Sequence, residues 1–415
     1  MLTRLLPDAL GRDFRWLFGA ATSTNLGDGI LLAAGPLLVA SLTRDPFAVS
    51  MAVFAQRVPW LFFGLLAGAV VDRVDRRLLV MTADVLRAAV VGALALAVGT
   101  GMVGLPWLYV TFFLLGTAEA FADNAASTLT VAVVPRKHLG KANARIFGSA
   151  MITNQLAGPP LGAALFALAG WLAFGANAVL ALLGVALLSR MRLARRVVPQ
   201  HRAPLRRQTR EGAVWLWRHP PVRTLALMIT FFNVTFGAAY GVYVLYAQER
   251  LGLGDVGFGV LLSAVAVGAV LGSVLYSRLE ARFGYAVLLR TGLVVETFSH
   301  AALALTSAVW VAVAVLFVFG VHAAVWGTTS TTVRQRAVPD AVLGRVTSVY
   351  LLGSVGGIAL GTLIGGLVAA RWGVLAAFWF AFAGSLVVLV WLWGPMRNVA
   401  LAAEHGPATQ DVPPV

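Results

Sequence analysis

Gly68-Ala69-Val70-Val71-Asp72-Arg73-Val74-Asp75-Arg76-Arg77 places five charged residues between two long apolar runs, 48–70 and 78–99. A helix needs about 20 residues to cross the hydrocarbon core of a bilayer. The quoted stretch therefore reads as a tight polar loop in which one membrane span turns back into the next.

Working outward, the same alternation covers the chain. Of its 415 residues, 59% are apolar and only 12% charged, about half the charged share of an ordinary soluble domain. Spans are expected near 16–39, 48–70, 78–99, 106–130, 144–168, 170–190, 222–246, 257–277, 285–305, 308–330, 346–368 and 372–394. This predicts an all-α membrane protein of 12 transmembrane helices arranged as two six-helix bundles. Runs this long and continuous exclude a membrane β-barrel, whose strands are short and alternating.

The net charge of +15 lies in short segments between the runs and forms no basic face or tail, which argues against a nucleic-acid partner. With no cysteine there is neither a disulfide framework nor a thiolate metal site. Asp8, Arg12, Asp13 and Arg15 precede an apolar stretch longer than a signal-peptide core, so a cleaved leader is not expected.

Arginine decides the orientation. Arg73, Arg76 and Arg77, the 4–5 connection, the central linker, and Arg278, Arg282, Arg334, Arg336, Arg345 and Arg397 fall on one side. The other side carries Arg44, Arg250 and Arg371. By the positive-inside rule both termini are expected in the cytoplasm, with the chain multi-pass in a bacterial inner membrane. The expected organisation is an N-terminal bundle (1–190), a basic linker (191–221), a C-terminal bundle (222–396) and a disordered tail (397–415). Within the linker, 211–218 has aromatic residues beside cationic ones and predicts a short interfacial amphipathic helix ended by Pro220-Pro221.

The halves echo one another. Val134-Pro135, Leu139-Gly140 and Lys141 recur 204 residues later as Val338-Pro339, Leu343-Gly344 and Arg345, which predicts a duplicated six-span unit. The quoted loop resembles the signature loop of the major facilitator superfamily, G-x-x-x-D-(R/K)-x-G-(R/K)-(R/K), with Asp75 where the family has glycine. A second stretch, Gly158-Pro159-Pro160-Leu161-Gly162-Ala163, resembles the superfamily's antiporter motif in the fifth span. Leu26-Gly27-Asp28-Gly29, the Asp84 and Arg87 pair, and Arg210-Glu211-Gly212 resemble a bacterial branch of drug and siderophore exporters. The resemblance implies the major facilitator superfamily fold, a cytoplasmic gate at Gly68, Asp72, Arg73, Arg76 and Arg77, and an export role for Gly158, Pro159, Pro160 and Gly162. It also implies that the first and fourth spans of each half line the cavity while the third spans lie outside it.

Four carboxylates, Asp28, Glu119, Asp123 and Glu296, lie inside apolar spans, where an acid is a functional candidate by default. At about 1.5 Å per residue, Asp28, Glu119 and Glu296 fall near the bilayer midplane. Asp123 shares a helix face with Glu119, one turn away. All four are candidate proton-coupling groups, with Arg57 as the expected charge partner. Asn25, Asn154, Gln155, Asn233, Tyr240 and Trp326 are candidate substrate contacts, a mixed lining that suits an amphiphile.

These residues predict a secondary active exporter of an amphiphilic small molecule, such as a drug, antibiotic or siderophore-like metabolite, working by proton antiport and alternating access. The alternative is a lipid or lysolipid transporter, or an importer, of the same fold. The expected partners are the amphiphilic cargo, protons and membrane lipid, and a monomer is expected. No enzyme, cofactor or metal is expected: the six histidines are scattered and no phosphate-cradling G-x-x-x-x-G-K-(S/T) loop is present.

Overall fold

Inside hydrocarbon, every backbone N–H and C=O must find a partner within its own segment, so long apolar runs become helices. The structure, a computed structural model, describes residues 10–71, 74–192 and 205–405, and the regular structure among them is helical. The first six spans are α1 (Arg12–Leu42), α2 (Pro46–Val71), α3 (Arg76–Gly99), α4 (Leu105–Val133), α5 (Leu139–Ala150, Met151–Ala157 and Gly158–Leu168 in succession) and α6 (Gly170–Ser189). A linker helix, Leu205–Arg218, leads to α7 (Pro220–Tyr240). The stretch Asp255–Leu305 bends at Gly284, whose φ of 69° favours glycine, into α8 (255–283) and α9 (285–305). α10 (Val309–Ala337), α11 (Asp340–Trp372) and α12 (Val374–Leu392) follow.

Ten helical stretches are individually long and apolar enough to cross a membrane. The count rises to twelve because Asp255–Leu305 holds two spans and because α5 is interrupted. Met151–Ala157 is a π-helical segment, followed at once by Pro159 and Pro160. Neither proline has an N–H to return to the preceding turn. The carbonyl of Leu156, which an N–H at position 160 would have met, instead accepts from Ser263 Oγ at 2.9 Å.

The chain divides into two compact units, Met1–Arg44 with Ala55–His201 and Gly252–Ser263, and Asp45–Phe54 with Arg202–Leu251 and Ala264–Val415. Each unit is assembled on small residues, because lipid gives helices little hydrophobic reason to associate and close backbone contact takes over. In the first, a Cβ on Gly158 would lie 2.5 Å from the Cα of Gly29, and one on Gly162 would lie 2.7 Å from the Cα of Ile30. The span-5 motif is thus pressed onto α1 directly beside Asp28. In the second, Gly353, Gly357, Gly361 and Gly365 form a four-residue stripe along α11 that meets Thr230, Val234 and Ala238 of α7.

At the polar ends, side chains finish the helices. Asp75 caps α3, its carboxylate accepting from the backbone N–H of Arg77 (2.9 Å) and Leu78 (3.1 Å). A cap of this kind contributes about 0.5–2 kcal/mol. The departure from glycine in the signature loop therefore has a structural use. Arg250 donates to the carbonyls of Leu305 and Thr306, closing the end of α9.

Three expectations are corrected. α10 continues to Ala337 instead of ending at 330, which brings Arg334 into a helix and out of the loop. The segment from 397 is not wholly disordered: Met396–His405 is a helix with Met396, Val399 and Ala400 buried against the second unit's core, and 406–415 lie outside the described residues. The amphipathic linker helix exists, but Trp215 and Leu216 are buried in protein while Val214 and Trp217 remain exposed. Glu211 salt-bridges Arg207 and Arg345, each at 2.8 Å, and a Cβ on Gly212 would lie 2.6 Å from the backbone carbonyl carbon of Arg345.

Gly212→Val is therefore expected to undock the linker helix, at a cost of roughly 1–3 kcal/mol of overpacking, and to accelerate tryptic cleavage near Arg207 and Arg210. Glu211→Gln, which removes only part-exposed ion pairs, is expected to cost about 0–1 kcal/mol. Equal protease resistance of the wild type and Gly212→Val would refute the docked arrangement.

Candidate functional site

The first unit concentrates acid. Asp28 sits at the middle of α1, flanked by the close-packed Gly27 and Gly29. Arg87 reaches it from α3 and forms a salt bridge, while its Nη1 lies 3.3 Å from Asp84 Oδ1, one turn earlier on the same helix. Arg87 and Asp84 are almost wholly buried, at 6% and 2% exposure, whereas the Asp28 side chain keeps 23%. Two carboxylates thus share one guanidinium, and only Asp28 remains in contact with the surroundings.

Arg57, the expected charge partner, stands near Asp123 without an ion pair among the described residues. It is half-buried and lies within electrostatic range of Asp123. Nor does the third span stand apart: Val80, Ala83, Asp84, Arg87, Ala88 and Val91 form a buried face of α3 with helical spacing. Glu119 is half-buried and Asp123 exposed, and neither makes a hydrogen bond or salt bridge among the described residues. Asp123 lies within electrostatic range of Glu119, Asp84 and Arg87. The network thus sets four carboxyl groups against two guanidiniums.

Around it, Asn25 donates to the carbonyl of Ala21 (2.7 Å), and Gln155 donates to the side chain of Asn154 (2.6 Å) in the π segment. In the loop that opened the reading, Asp72 and Arg73 lie outside the described residues and Gly68 is in the last turns of α2. Arg76 begins α3. Arg77 donates to the carbonyls of Leu188 (2.9 Å) and Ser189 (2.6 Å), so a cation neutralises the negative end of α6.

The second unit holds a different site. A cavity of about 380 Å³ lies among α7, α9, α10 and α11. Asn233 and Trp326, two of the candidate contacts, line it, and Asn233 donates to the Ser354 carbonyl (2.9 Å) and hydroxyl (2.6 Å). Tyr240 stacks on the lining residue Phe236 with centroids 5.3 Å apart. Glu296 also lines this cavity, which corrects the expectation that a third-span acid would stand outside it. Its two oxygens are divided between His322 Nε2 at 3.0 Å and His300 Nε2 at 3.5 Å. Gly292 makes room for this arrangement, since a Cβ there would lie 2.5 Å from the Trp326 ring. Among the described residues no cluster is arranged to hold a metal ion.

Sequence reasoning missed His300, Ser330, Arg334 and Tyr350. A signal was present, because His322, Trp326, Ser330 and Arg334 recur at every fourth position and so share one face of α10. His300 likewise stands four residues after Glu296.

The family model described as transmembrane secretion effector matches residues 10–406. The enterobactin exporter EntS of Salmonella typhimurium (strain LT2) is 28% identical over 400 residues, covering 91% of this chain and 92% of that protein. The multidrug efflux pump Tap of Mycolicibacterium fortuitum is 26% identical over 384 residues, covering 86% and 90%. Among solved structures, a crystal structure of the nucleoside transporter NupG superposes with a TM-score of 0.78 at 12% identity, over 93% of this chain and 100% of the other. At that identity the likeness concerns the fold alone.

Proposed function

The chain belongs to the transmembrane secretion effector family of the major facilitator superfamily, and from that premise we propose that it is a secondary active exporter which exchanges an amphiphilic small molecule for protons by alternating access. As a transporter of this superfamily it is a multi-pass membrane protein and not an enzyme. The efflux relatives and the Gly158–Gly162 motif packed on α1 support the export direction. The distribution of arginines supports cytoplasmic termini. The hold of Arg77 on the end of α6 supports a cytoplasmic gate in the sequence stretch that also carries Asp72 and Arg73.

The observation that carries proton exchange is the sharing of Arg87 by two carboxylates of unequal access. Asp84, sealed beside Arg87, acts as the fixed counter-ion; Asp28, with 23% of its side chain accessible, is the group that meets protons. Protonating Asp28 leaves Arg87 to Asp84 alone and loosens the tie between α1 and α3. Losing the proton restores that tie. Glu119 and Asp123, one turn apart, form a second acid pair.

In inverted vesicles with an acidic lumen, Asp28→Asn is expected to lose uptake of amphiphilic dyes at least tenfold, and Glu119→Gln to lose it partly. Undiminished proton-driven uptake in both variants would overturn the assignment of these acids as couplers.

A further inference from the structure

Arg334 is a charged side chain at the edge of a cavity, with no acidic partner among the described residues. It is 7% exposed, and its guanidinium carbon lies 4.1 Å above the Tyr350 ring. Its Nε and Nη1 have no hydrogen-bond partner, and among the described residues it makes no salt bridge. Four described acids of this unit are engaged or exposed. Glu296, which lines the same cavity, is divided between two histidines. Glu280 accepts from the Tyr285 hydroxyl at 2.5 Å, Glu211 pairs with Arg207 and Arg345, and Asp340 is exposed.

A buried guanidinium is expensive when nothing neutralises it. The face of a tyrosine offsets part of that cost through cation–π attraction, which supplies no negative charge. Arginine's donors match the oxygens of a carboxylate, sulfonate, phosphate or phenolate. The rest of the cavity is suited to the other half of such a molecule: Phe232, Phe236, Phe319 and Trp326 line it. A neighbouring cavity of about 280 Å³, lined almost wholly by apolar side chains, shares Gly292 and His322 with it and offers room for an apolar body.

We propose that the second-unit cavity is a binding site for an amphiphilic organic anion, with the anionic group on Arg334 beside Ser330 and Tyr350 and the apolar body against the aromatic wall. The site itself stands on these contacts; calling its occupant the cargo rests on the export function proposed above. The two units would then divide the work, with protons handled by the acids of the first and the anion held by the cation of the second.

Two dyes with the same aromatic body test this. 1-Anilinonaphthalene-8-sulfonate carries one sulfonate, and N-phenyl-1-naphthylamine carries none. Binding of each to purified protein in nanodiscs, corrected for empty nanodiscs, is expected to show that Arg334→Gln weakens the sulfonate at least tenfold and the neutral dye less than twofold. Arg334→Lys, which keeps the charge, is expected to retain most of the sulfonate affinity and serves if the glutamine variant does not fold. Absence of sulfonate binding to the wild type would overturn the proposal. So would equal losses for both dyes in the variants, or no loss for the sulfonate in Arg334→Gln. Proton-driven uptake of the sulfonate into inverted vesicles separates the two claims. Arg334-dependent binding without uptake would count against export of anions and leave the site standing. Equal uptake by wild type and Arg334→Gln would remove the site and leave export standing.

Discussion

Arg87→Ala is expected to destabilise the protein by roughly 3–5 kcal/mol, the cost of breaking a buried ion pair and leaving its acid uncompensated. Two acids are left behind here, Asp28 and Asp84, and Asp84 is almost completely sealed from its surroundings. Thermal unfolding in detergent should show the midpoint falling sharply, and dye transport should be lost with it. Neutralising the acids as well, in Arg87→Gln with Asp28→Asn and Asp84→Asn, removes the uncompensated charge. That triple variant is expected to recover most of the stability and none of the proton-driven transport. This split between fold and function distinguishes a coupling site from a structural brace. An unchanged melting midpoint in Arg87→Ala would show that the shared salt bridge is not formed. Recovery of proton-driven transport in the triple variant would show that the acids serve packing only.

Gly158→Ala is the second change expected to have a large effect, although it adds one methyl group. The new Cβ would lie 2.5 Å from the Cα of Gly29 and 2.7 Å from its carbonyl carbon, so backbone must move. Two helices held by close approach of their backbones cannot absorb this by turning a side chain. Overpacking of this kind costs about 1–3 kcal/mol, and the displaced segment of α1 is the one that presents Asp28 to Arg87. A lower melting midpoint and loss of transport are expected together. Gly148→Ala, in the same span with no atom within 4 Å of its Cβ position, is the control and should leave both unchanged. If the two variants behave alike, α1 and α5 are not in backbone contact.

Some of this was legible residue by residue. The loop at 68–77 and the apolar runs around it predicted helices in the right number, because a bilayer sets the length of a span and apolar composition reveals it. The branch motifs picked out Asp28, Asp84 and Arg87 as separate positions. They did not show that one guanidinium holds both acids, since that depends on the rotation of α1 against α3. Arg57 looked the better partner by depth alone. Arg334 was counted with the loop arginines because hydropathy cannot tell where a helix stops when its last turns are polar. In the first half the position 204 residues earlier is Thr130, so the repeat offered no charged precedent for it.

By itself, then, the sequence determined what each segment must become. Apolar length, arginine distribution, prolines and glycine spacing act along one helix at a time, and each is written locally. The tertiary structure alone decided which charges meet. Helices in lipid associate through small residues whose contacts set rotation and depth, and a shift of one residue turns a side chain by about 100°. That is why four acids and a handful of arginines could be found in the chain, while the shared Arg87, the divided Glu296 and the uncompensated Arg334 became visible only in the folded units.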